Sequence, residues 1–280
     1  KIKINNQKTN SYYNFLVGIG EDIPLFTDEQ VIAINYLSSL LPLVRRHEFL
    51  IIRCLLEGNY EKDKIRQCLS KEISGYTDEQ FNHALQFMVE SGVVTPTDKT
   101  LKFSCEVNRE FTEYVNDLLQ YGLSQYSVKY STDEEDFLLY QDYRQDQALL
   151  KILENPKHNQ YGTYYKHGNM YIFAGLKKDD SVQEHLNYKD KFLDKETFQW
   201  ESIANISKKD ELLQKSSKQA FIFVRKVKSE NGITLPYTFV GTGHLHNPRK
   251  NATTNGSILY DIHLNNPLPD DLMEDFQWMA

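Results

Sequence analysis

Residues 220–227 read Ala-Phe-Ile-Phe-Val-Arg-Lys-Val and decide the fold class of the second half of this 280-residue chain. Their β-branched and aromatic side chains favour a β-strand. The apolar residues follow one another without alternating with polar ones, which is typical of a strand covered on both faces of its sheet. The stretch therefore predicts an inner strand of a mainly β domain.

Other stretches beyond residue 156 share this composition and are bounded by Gly, Asn or Pro, namely Tyr164–Ala174, Tyr237–Val240 and Ile258–Leu264. The sequence Glu230-Asn231-Gly232 predicts a hairpin turn, because Asn and Gly tolerate positive φ. A short helix over Arg144–Leu153 precedes these strands. Together they predict a closed or half-open β-barrel.

The first half of the chain has the apolar period of α-helices. Thr27 and Thr77 each stand three residues before a glutamine, which is the capping box that starts a helix. Gly58 is expected to end one helix as a C′ glycine. Apolar spacing predicts the helices Leu43–Glu57, Glu61–Ile73, Asp78–Ser91 and Phe111–Tyr121.

Between the last two of these helices, Gly92–Val94 and Leu101–Phe103 flank a turn at Pro96–Asp98 and predict a β-hairpin. Three helices followed by a hairpin are the outline of a winged helix-turn-helix. The candidate recognition helix, Asp78–Ser91, carries three acidic residues and no Lys or Arg, whereas phosphate contacts need basic side chains. This favours an intramolecular scaffold over a DNA reader.

The acidic, apolar-poor stretch Ser131–Asp136 separates the two halves and predicts a linker. We therefore expect an α+β protein. Its first part is a helical, winged-helix-like domain at 1–137, and its second is a β-barrel domain at 138–280.

The net charge of −7 is distributed unevenly along the chain. Residues 1–137 hold 14 basic and 21 acidic side chains, whereas residues 157–250 hold 16 basic and 10 acidic ones, a net charge of +6. A basic segment inside an acidic chain is typical of a nucleic-acid surface. An unevenly charged, solvated surface is the alternative that composition leaves open.

Several classes of protein are excluded or disfavoured. The absence of a long uncharged apolar run excludes a membrane span. Cys54, Cys68 and Cys105 lack disulfide or metal spacing and predict reduced thiols in the cytoplasm. The chain begins at Lys1 rather than Met, so we expect a fragment of a longer protein.

No catalytic motif is legible in the sequence. The phosphate-binding loop, the HExxH metal motif, the GxSxG nucleophile turn and the EF-hand loop are all absent. His244 and His246 could bind a metal from one strand face, but no third His, Cys or Asp stands within ten residues. Asn247 and Pro248, which follow them, indicate a loop. Both observations disfavour a metal site here. We predict a binding fragment with no metal and no enzymatic activity of its own.

The stretch Tyr188–Ser202 interleaves aromatic side chains with acids and lysines, and an ordinary barrel core wrapped in charge is its structural alternative. In the order in which they occur, four blocks of the chain resemble a known family: Tyr188-x-Asp190, Phe198-x-Trp200-x-Ser202, Phe223-Val224-Arg225 and Pro236–Gly241. The family is the uncharacterised C-terminal domain of superfamily 2 helicases, as found in SauUSI-type, modification-dependent (type IV) restriction enzymes. The resemblance spans about Tyr143–Asp271.

The resemblance implies an SRA/PUA-like barrel that reads 5-methylcytosine, coupled through the helical domain to a DEAD/H helicase and a phospholipase-D-type nuclease in the same polypeptide. ATP and Mg²⁺ are expected only for those other domains. Where family members often carry Gln-Ser-Gln after the tryptophan, this chain has Glu201-Ser202-Ile203. The contribution of position 201 to substrate choice therefore stays open.

A flipped cytosine needs aromatic walls and an acceptor for its N4 amino group. On that basis, the residues expected to form the base pocket are Tyr188, Asp190, Phe198, Trp200, Glu201 and Ser202. The residues expected to contact the DNA backbone are Arg225, Lys226, Lys228, Arg249 and Lys250. The expected partner is double-stranded DNA carrying 5-methylcytosine, and no association with a membrane is expected. The competing hypothesis is a protein-interaction module in which the barrel is structural.

Overall fold

The computed structural model describes residues 3–4, 7–8, 11–130, 137–158, 162–177, 190–202, 208–250 and 257–277. The chain divides into two compact units, 1–135 and 136–280, called unit 1 and unit 2 below. Unit 1 is helical and unit 2 is built on a curled, mostly β sheet, so the expected α+β class is confirmed. Among the described helices, none has the length and apolar character needed to cross a bilayer.

Unit 1 places its helices before and after a short hairpin. Its elements are β1 (Lys3–Ile4), β2 (Gln7–Lys8), α1 (Tyr12–Ile19), α2 (Asp28–Ser39), α3 (His47–Leu56), α4 (Lys62–Glu72), α5 (Asp78–Glu90), β3 (Val94–Pro96), β4 (Leu101–Phe103) and α6 (Arg109–Lys129). Strands β3 and β4 pair antiparallel, so the predicted hairpin is confirmed. The more specific winged-helix assignment stays a prediction.

The predicted helix signals of unit 1 are present as hydrogen bonds. At the start of α2, the Thr27 amide donates to Gln30 Oε1 over 3.0 Å and the Gln30 amide donates to Thr27 Oγ1 over 3.3 Å. At the start of α5, the Thr77 amide donates to Gln80 Oε1 over 2.8 Å. Gly58 follows α3 with φ of 81°, a left-handed conformation that glycine adopts without strain.

Helix α3 begins at His47, later than the predicted start at Leu43. Leu43 and Val44 are buried in an irregular segment, and burial without helical geometry cannot be recognised from apolar spacing. Arg45 and Glu48 form a buried ion pair where the helix starts. Burial disfavours the Glu48 carboxylate, but the charge and hydrogen bonds of Arg45 outweigh burial and lower the pKa of Glu48.

Helix α6 continues to Lys129, beyond the predicted end at Tyr121. Gly122 is buried in the helix, and a Cβ at that position would lie 2.4 Å from Cε1 of Phe49 on α3. The glycine therefore allows α3 and α6 to approach closely, and it does not end the helix.

Unit 2 combines a large sheet and the separate two-stranded hairpin β11–β12 with three α-helices in its described part. Its elements are β5 (Asp142–Tyr143), α7 (Gln145–Lys151), a 3₁₀ turn (Pro156–His158), β6 (Thr163–Lys166), β7 (Asn169–Gly175), β8 (Lys191–Phe192), β9 (Thr197–Glu201), α8 (Lys208–Ser216), β10 (Ala220–Arg225), β11 (Ser229–Glu230), β12 (Ile233–Thr234), β13 (Tyr237–Lys250), β14 (Ile258–Leu264) and α9 (Asp270–Gln277).

Within the described residues, the sheet has the order β6-β7-β10-β13-β14-β9-β8, and β5 pairs with the start of β13. Strands β7 and β10 are parallel, and the other pairs are antiparallel. No described residues join β6 to β8, so the described sheet is open there, as in the half-open form of the predicted barrel. An SRA/PUA-like identity of this sheet stays a prediction.

Strand β10 is covered on both faces, as its sequence predicts. Ile222 and Val224 belong to the apolar cluster on one face. Phe223 points to the other face, where its ring stacks on that of Phe173, with centroids 4.7 Å apart, and contacts that of Phe239 at 4.9 Å. A strand with two buried faces needs no alternation of polar residues.

Two hairpin turns have positive φ at both central residues. Asn231 and Gly232, with φ of 49° and 77°, form the predicted turn between β11 and β12. His167 and Gly168, with φ of 51° and 78°, divide the predicted single strand Tyr164–Ala174 into β6 and β7. A histidine at the first turn position is a weaker hairpin signal than the usual Asn or Asp, so the sequence did not reveal this turn.

Strand β13 continues to Lys250, past Asn247 and Pro248, where the sequence predicts a loop. The pairing with β14 shifts between His246 and Arg249, and this bulge accommodates Asn247, with φ of 50°, and Pro248. A proline has no N–H to donate to the ladder, but a bulge leaves its residues unpaired. The loop prediction is therefore wrong, because the proline interrupts the pairing without ending the strand.

Gly122→Ala should lower the free energy of unfolding of unit 1 by about 1 kcal/mol, because overpacking against Phe49 outweighs the gain in helix propensity. Urea unfolding of the whole chain measures this change. Ser124→Ala is the matched control, since Ser124 is exposed on the same helix, and it should shift stability by less than about 0.5 kcal/mol. A Gly122→Ala variant more stable than wild type would contradict the close-approach explanation.

Candidate nucleic-acid interface

One end of the sheet brings together many of the residues expected at a DNA site. Leu259 of β14 pairs with Glu201 of β9 on one side and with Arg249 of β13 on the other. Trp200 precedes Glu201 on β9, and Lys250 follows Arg249 at the end of β13. The expected base pocket and two of the expected phosphate contacts therefore lie at the same end of three neighbouring strands.

The aromatic residues expected to wall the pocket are part of the core. Phe198 is fully buried and Trp200 is 4% exposed. The Trp200 ring stacks on Tyr260 with centroids 5.8 Å apart, and Phe198 contacts Phe192 at 4.8 Å. In this structure neither Phe198 nor Trp200 presents an open face to a base, as the core alternative for this stretch implies. Tyr188 lies outside the described residues.

The expected edge-reading residues form a buried hydrogen-bonded group. Asp190 Oδ1 accepts from the backbone amide of Glu201 over 2.9 Å, and the Glu201 carboxylate accepts from Ser257 Oγ over 2.6 Å. Ser202 Oγ accepts from the Ile258 amide over 2.9 Å. The structure therefore brings both candidate acids and the serine together, where they connect β8 and β9 to the start of β14.

The five basic residues expected to contact phosphates form two separate groups. Arg225, Lys226 and Lys228 follow Val224, which pairs with Thr238 near the start of β13. Arg249, which precedes Lys250, pairs with Leu259 near the end of the same strand. The 14 residues of β13 extend about 40 Å along the strand. The basic residues Arg225, Lys226 and Lys228 thus lie far from the aromatic and acidic residues of the candidate pocket.

Two residues of the distant group have intramolecular partners. The Arg225 guanidinium lies over the Tyr237 ring at 4.2 Å, and its Nη1 donates to the Leu235 carbonyl over 3.3 Å. Burial lowers the pKa of Arg225. Lys226 forms an ion pair with Asp275 of α9. Lys228, like Lys250 at the other end, is exposed.

Arg249 forms a bidentate ion pair with Asp261 of β14. Its Nη1 and Nη2 donate to the two carboxylate oxygens over 2.6 and 2.7 Å, and Asn247 Nδ2 donates over 3.1 Å. Hydrogen bonding by Arg249, followed by that of Asn247, lowers the pKa of Asp261 to about 2. The guanidinium remains partly exposed, with 43% of its side-chain surface accessible, and it can meet a phosphate only in competition with Asp261.

A cleft of about 260 Å³ lies between α8 and the strands β13 and β14. Its lining includes Gln214, Lys215 and Tyr260. The Tyr260 hydroxyl donates to Gln214 Oε1 over 3.1 Å, and Trp200 supports the Tyr260 ring. Sequence reasoning missed Gln214 and Tyr260, because α8 carries no motif and Tyr260 has the spacing of an ordinary core residue.

Three histidines were also missed as a group. His244 and His246 of β13 and His263 of β14 are exposed on the same face of the sheet. The sequence allows His244 and His246 on one strand face, but His263 follows His246 by 17 residues and joins them only through the pairing of β13 with β14. Among the described residues, no three His, Cys, Asp or Glu side chains are arranged to hold a metal ion.

Asp261→Asn should destabilise unit 2 by about 1 kcal/mol near neutral pH, since it removes a bidentate, partly exposed ion pair. The pKa of Asp261 falls from an ordinary value of 3.8 to about 2 on folding, so the contribution is fully present above pH 3.8 and is lost as the pH falls through 2. Urea unfolding at several pH values checks this. Glu274→Gln, an exposed position on α9, should show no such pH-dependent difference, and a constant deficit of Asp261→Asn down to the lowest pH would refute the ionic origin.

The chain is similar to two domain families and, distantly, to a solved structure. Residues 137–276 match a family described as Domain of unknown function (DUF3427), and residues 1–104 match Domain of unknown function (DUF8090). No curated protein matches the chain. A solved structure titled "The 5-Hydroxymethylcytosine-Specific Restriction Enzyme AbaSI" is 11% identical, with a TM-score of 0.24, over 59% of this chain and 59% of that chain.

A TM-score of this size carries no argument about fold or function. The DUF3427 match is of a different kind, because it covers 140 of the 280 residues, half of the chain, and includes the whole described sheet of unit 2. The chain therefore belongs to the DUF3427 family, which is found in helicase-associated proteins.

Proposed function

We propose that unit 2 is the target-recognition part of a modification-dependent type IV restriction enzyme and that it binds double-stranded DNA containing 5-methylcytosine. In this proposal the modified base is flipped out of the duplex into an aromatic pocket. The observation that carries the proposal is that a stacked aromatic pair, two buried acids and the cations Arg249 and Lys250 lie at the same end of the sheet, with Arg249 on the opposite face from Tyr260.

A flipped cytosine requires stacking partners and hydrogen bonds to its edge. Its N4 amino group is a donor, for which a carboxylate is a natural acceptor. Asp190 and Glu201 supply carboxylates that are already held by a backbone amide and a serine hydroxyl. Gln214 adds an amide with both an acceptor and donors, next to the ring of Tyr260.

The cleft beside Tyr260 supports a modified assignment of the pocket walls. Tyr260 borders an open volume of about 260 Å³, although the residue is only 4% exposed, as is Trp200 stacked behind it, and Phe198 is fully buried in the core. In the proposed pocket, the base lies against Tyr260, and Trp200 keeps that ring in place. Direct stacking of the base on Trp200 would require the Trp200–Tyr260 pair to separate.

The methyl group alone provides little selectivity. Burial of one methyl contributes about 0.8 kcal/mol, or about fourfold in affinity. Larger discrimination must come from contacts to flanking bases or from a later ATP-driven step. The helicase and nuclease domains proposed for the same polypeptide would supply that step, with unit 1 as the winged-helix-like coupling domain whose acidic α5 disfavours phosphate contact.

A second candidate function is protein interaction through unit 1. Tyr12, Ile19 and Leu25 expose 68%, 50% and 84% of their surfaces around α1 and the segment that follows it. Large apolar side chains grouped in sequence at the surface suit an apolar partner surface. In this alternative, unit 2 is structural and has no affinity for DNA.

Fluorescence anisotropy with matched methylated and unmethylated duplexes tests the proposal. We expect the whole chain to bind the methylated duplex about fourfold more tightly, from burial of the methyl group, with affinity that falls as salt rises. Tyr260→Ala should weaken methylated binding by about 1–3 kcal/mol through lost stacking, whereas Tyr260→Phe keeps the ring and should keep the preference. Binding that is absent or independent of salt would refute DNA recognition and favour the interaction module.

Conservative substitutions test the two acids. Asp190→Asn and Glu201→Gln retain an oxygen that can accept from the Glu201 amide and from Ser257, so both variants should fold, as thermal melts will show. In each variant an NH2 group replaces the second carboxylate oxygen, so it opposes a donor to the cytosine N4 amino group. The variant at the residue that reads the base should therefore lose the methylated-cytosine preference and bind more weakly by about 1–3 kcal/mol. Full preference in both variants would show that neither carboxylate reads the base edge.

A further inference from the structure

The exposed face of β13 and β14 carries three histidines, one of which, His244, also lines the cleft beside Tyr260. His244, His246 and His263 are exposed, while Leu245 and Ile262, which alternate with them, pack on the core. His244 pairs in register with His263, and the ring centroids of His246 and His263 lie 4.5 Å apart. These three imidazoles therefore form one solvent-facing surface, called the histidine face below.

The ion pair next to these rings contributes no net charge. Asp261 lies opposite His246 in the register and holds both Nη atoms of Arg249. Because the pKa of Asp261 is lowered to about 2, the carboxylate stays ionised throughout the pH range in which imidazoles titrate. The ion pair therefore adds no net charge to this surface anywhere in that pH range.

The neighbouring strands add a permanent cation to this face. Strand β9 contributes the neutral side chains of Thr197 and Gln199, and β8 contributes the exposed Lys191, opposite Gln199 in the register. Glu201, at the end of β9, is buried and accepts from Ser257. From α8, Lys215 lines the same cleft as His244. The side chains of all three histidines are exposed and can be reached by a ligand.

We propose that the histidine face binds the phosphates of the DNA backbone and takes up protons as it does so, so that affinity for duplex rises as the pH falls. Two protonated imidazoles as close as those of His246 and His263 repel each other unless an anion lies against them. A phosphate is such an anion and accepts charged hydrogen bonds from both rings. Protonation and DNA binding therefore strengthen each other.

This inference rests on the proposed DNA binding of unit 2, but it does not depend on the methyl group or on the base pocket. It also explains how this end of the sheet can hold a duplex. Arg249 is engaged with Asp261, and Arg225, Lys226 and Lys228 lie near the opposite end of β13. The backbone contacts come from strand residues of β13 and β14 in addition to the arginines and lysines that the sequence indicates.

Anisotropy titrations of an unmethylated duplex between pH 8 and pH 6, at fixed ionic strength, test the inference. Each proton taken up with DNA raises the affinity by up to about tenfold per pH unit. We expect the wild-type chain to gain at least about tenfold over this range, and the triple variant His244→Gln, His246→Gln, His263→Gln to change by less than about twofold. Glutamine keeps a polar, uncharged side chain at each position, and thermal melts at both pH values verify folding.

His158→Gln is the matched control, because His158 is exposed but lies outside the histidine face. It should retain the pH dependence of the wild type. A pH dependence that persists in the folded triple variant, or that is lost in His158→Gln, overturns the assignment to the histidine face and leaves the proposed function intact. Absence of duplex binding at every pH overturns the proposed function and this inference together.

Inorganic phosphate distinguishes a DNA backbone from a free anion. The imidazole proton resonances of the three histidines, assigned by NMR through the single variants, should shift with duplex at micromolar concentrations and stay unchanged with millimolar phosphate. Saturation of the same resonances by inorganic phosphate at micromolar concentration would overturn the assignment to DNA and identify a site for a small anion.

Discussion

Hydrogen-bonded pairing along β13 is the constraint on which the arrangement of unit 2 depends. Its first part pairs with β5 and β10, and its second part pairs with β14. The bulge at Asn247 and Pro248 lets the strand keep its partner beyond a residue that cannot donate a ladder hydrogen bond. Without that continuation, Arg249 would not reach Asp261, and the polar end of the sheet would lose its ordered edge.

The alternation of side chains along β9 and β14 assigns core and surface roles to adjacent residues. Phe198 and Trp200 of β9 and Tyr260 and Ile262 of β14 pack into the apolar cluster. The residues between them, among them Asp261, are on the opposite face. A rigid aromatic layer thus supports a polar surface one residue away, so the core residues and the candidate contact residues cannot be varied independently. Any change at Trp200 acts on the site through Tyr260.

The basic and acidic segments of the chain are separate in sequence, but some of their side chains pair in the folded protein. The acidic C-terminal segment forms α9, where Asp270 pairs with Lys195 and Asp275 pairs with Lys226. Arg249 is matched by Asp261 in the same way. The net charge of +6 over residues 157–250 is therefore lowered at the folded surface by acids that follow it in the sequence.

Local chemistry determined much of what the sequence could establish about this protein. The capping boxes at Thr27 and Thr77, the C′ glycine at Gly58 and the turn at Asn231 and Gly232 all follow from interactions within a few residues. The apolar composition of β10 indicates its burial on both faces, although distant residues such as Phe173 and Phe239 provide that burial. The tertiary structure decided whether Gly122 ends a helix or lets α6 pass Phe49, whether Pro248 ends a strand, and whether Trp200 faces a ligand or the core. It also joined Arg249 to Asp261 and His246 to His263. Those outcomes depend on which strand or helix lies opposite, and residues far apart in the chain determine that neighbour.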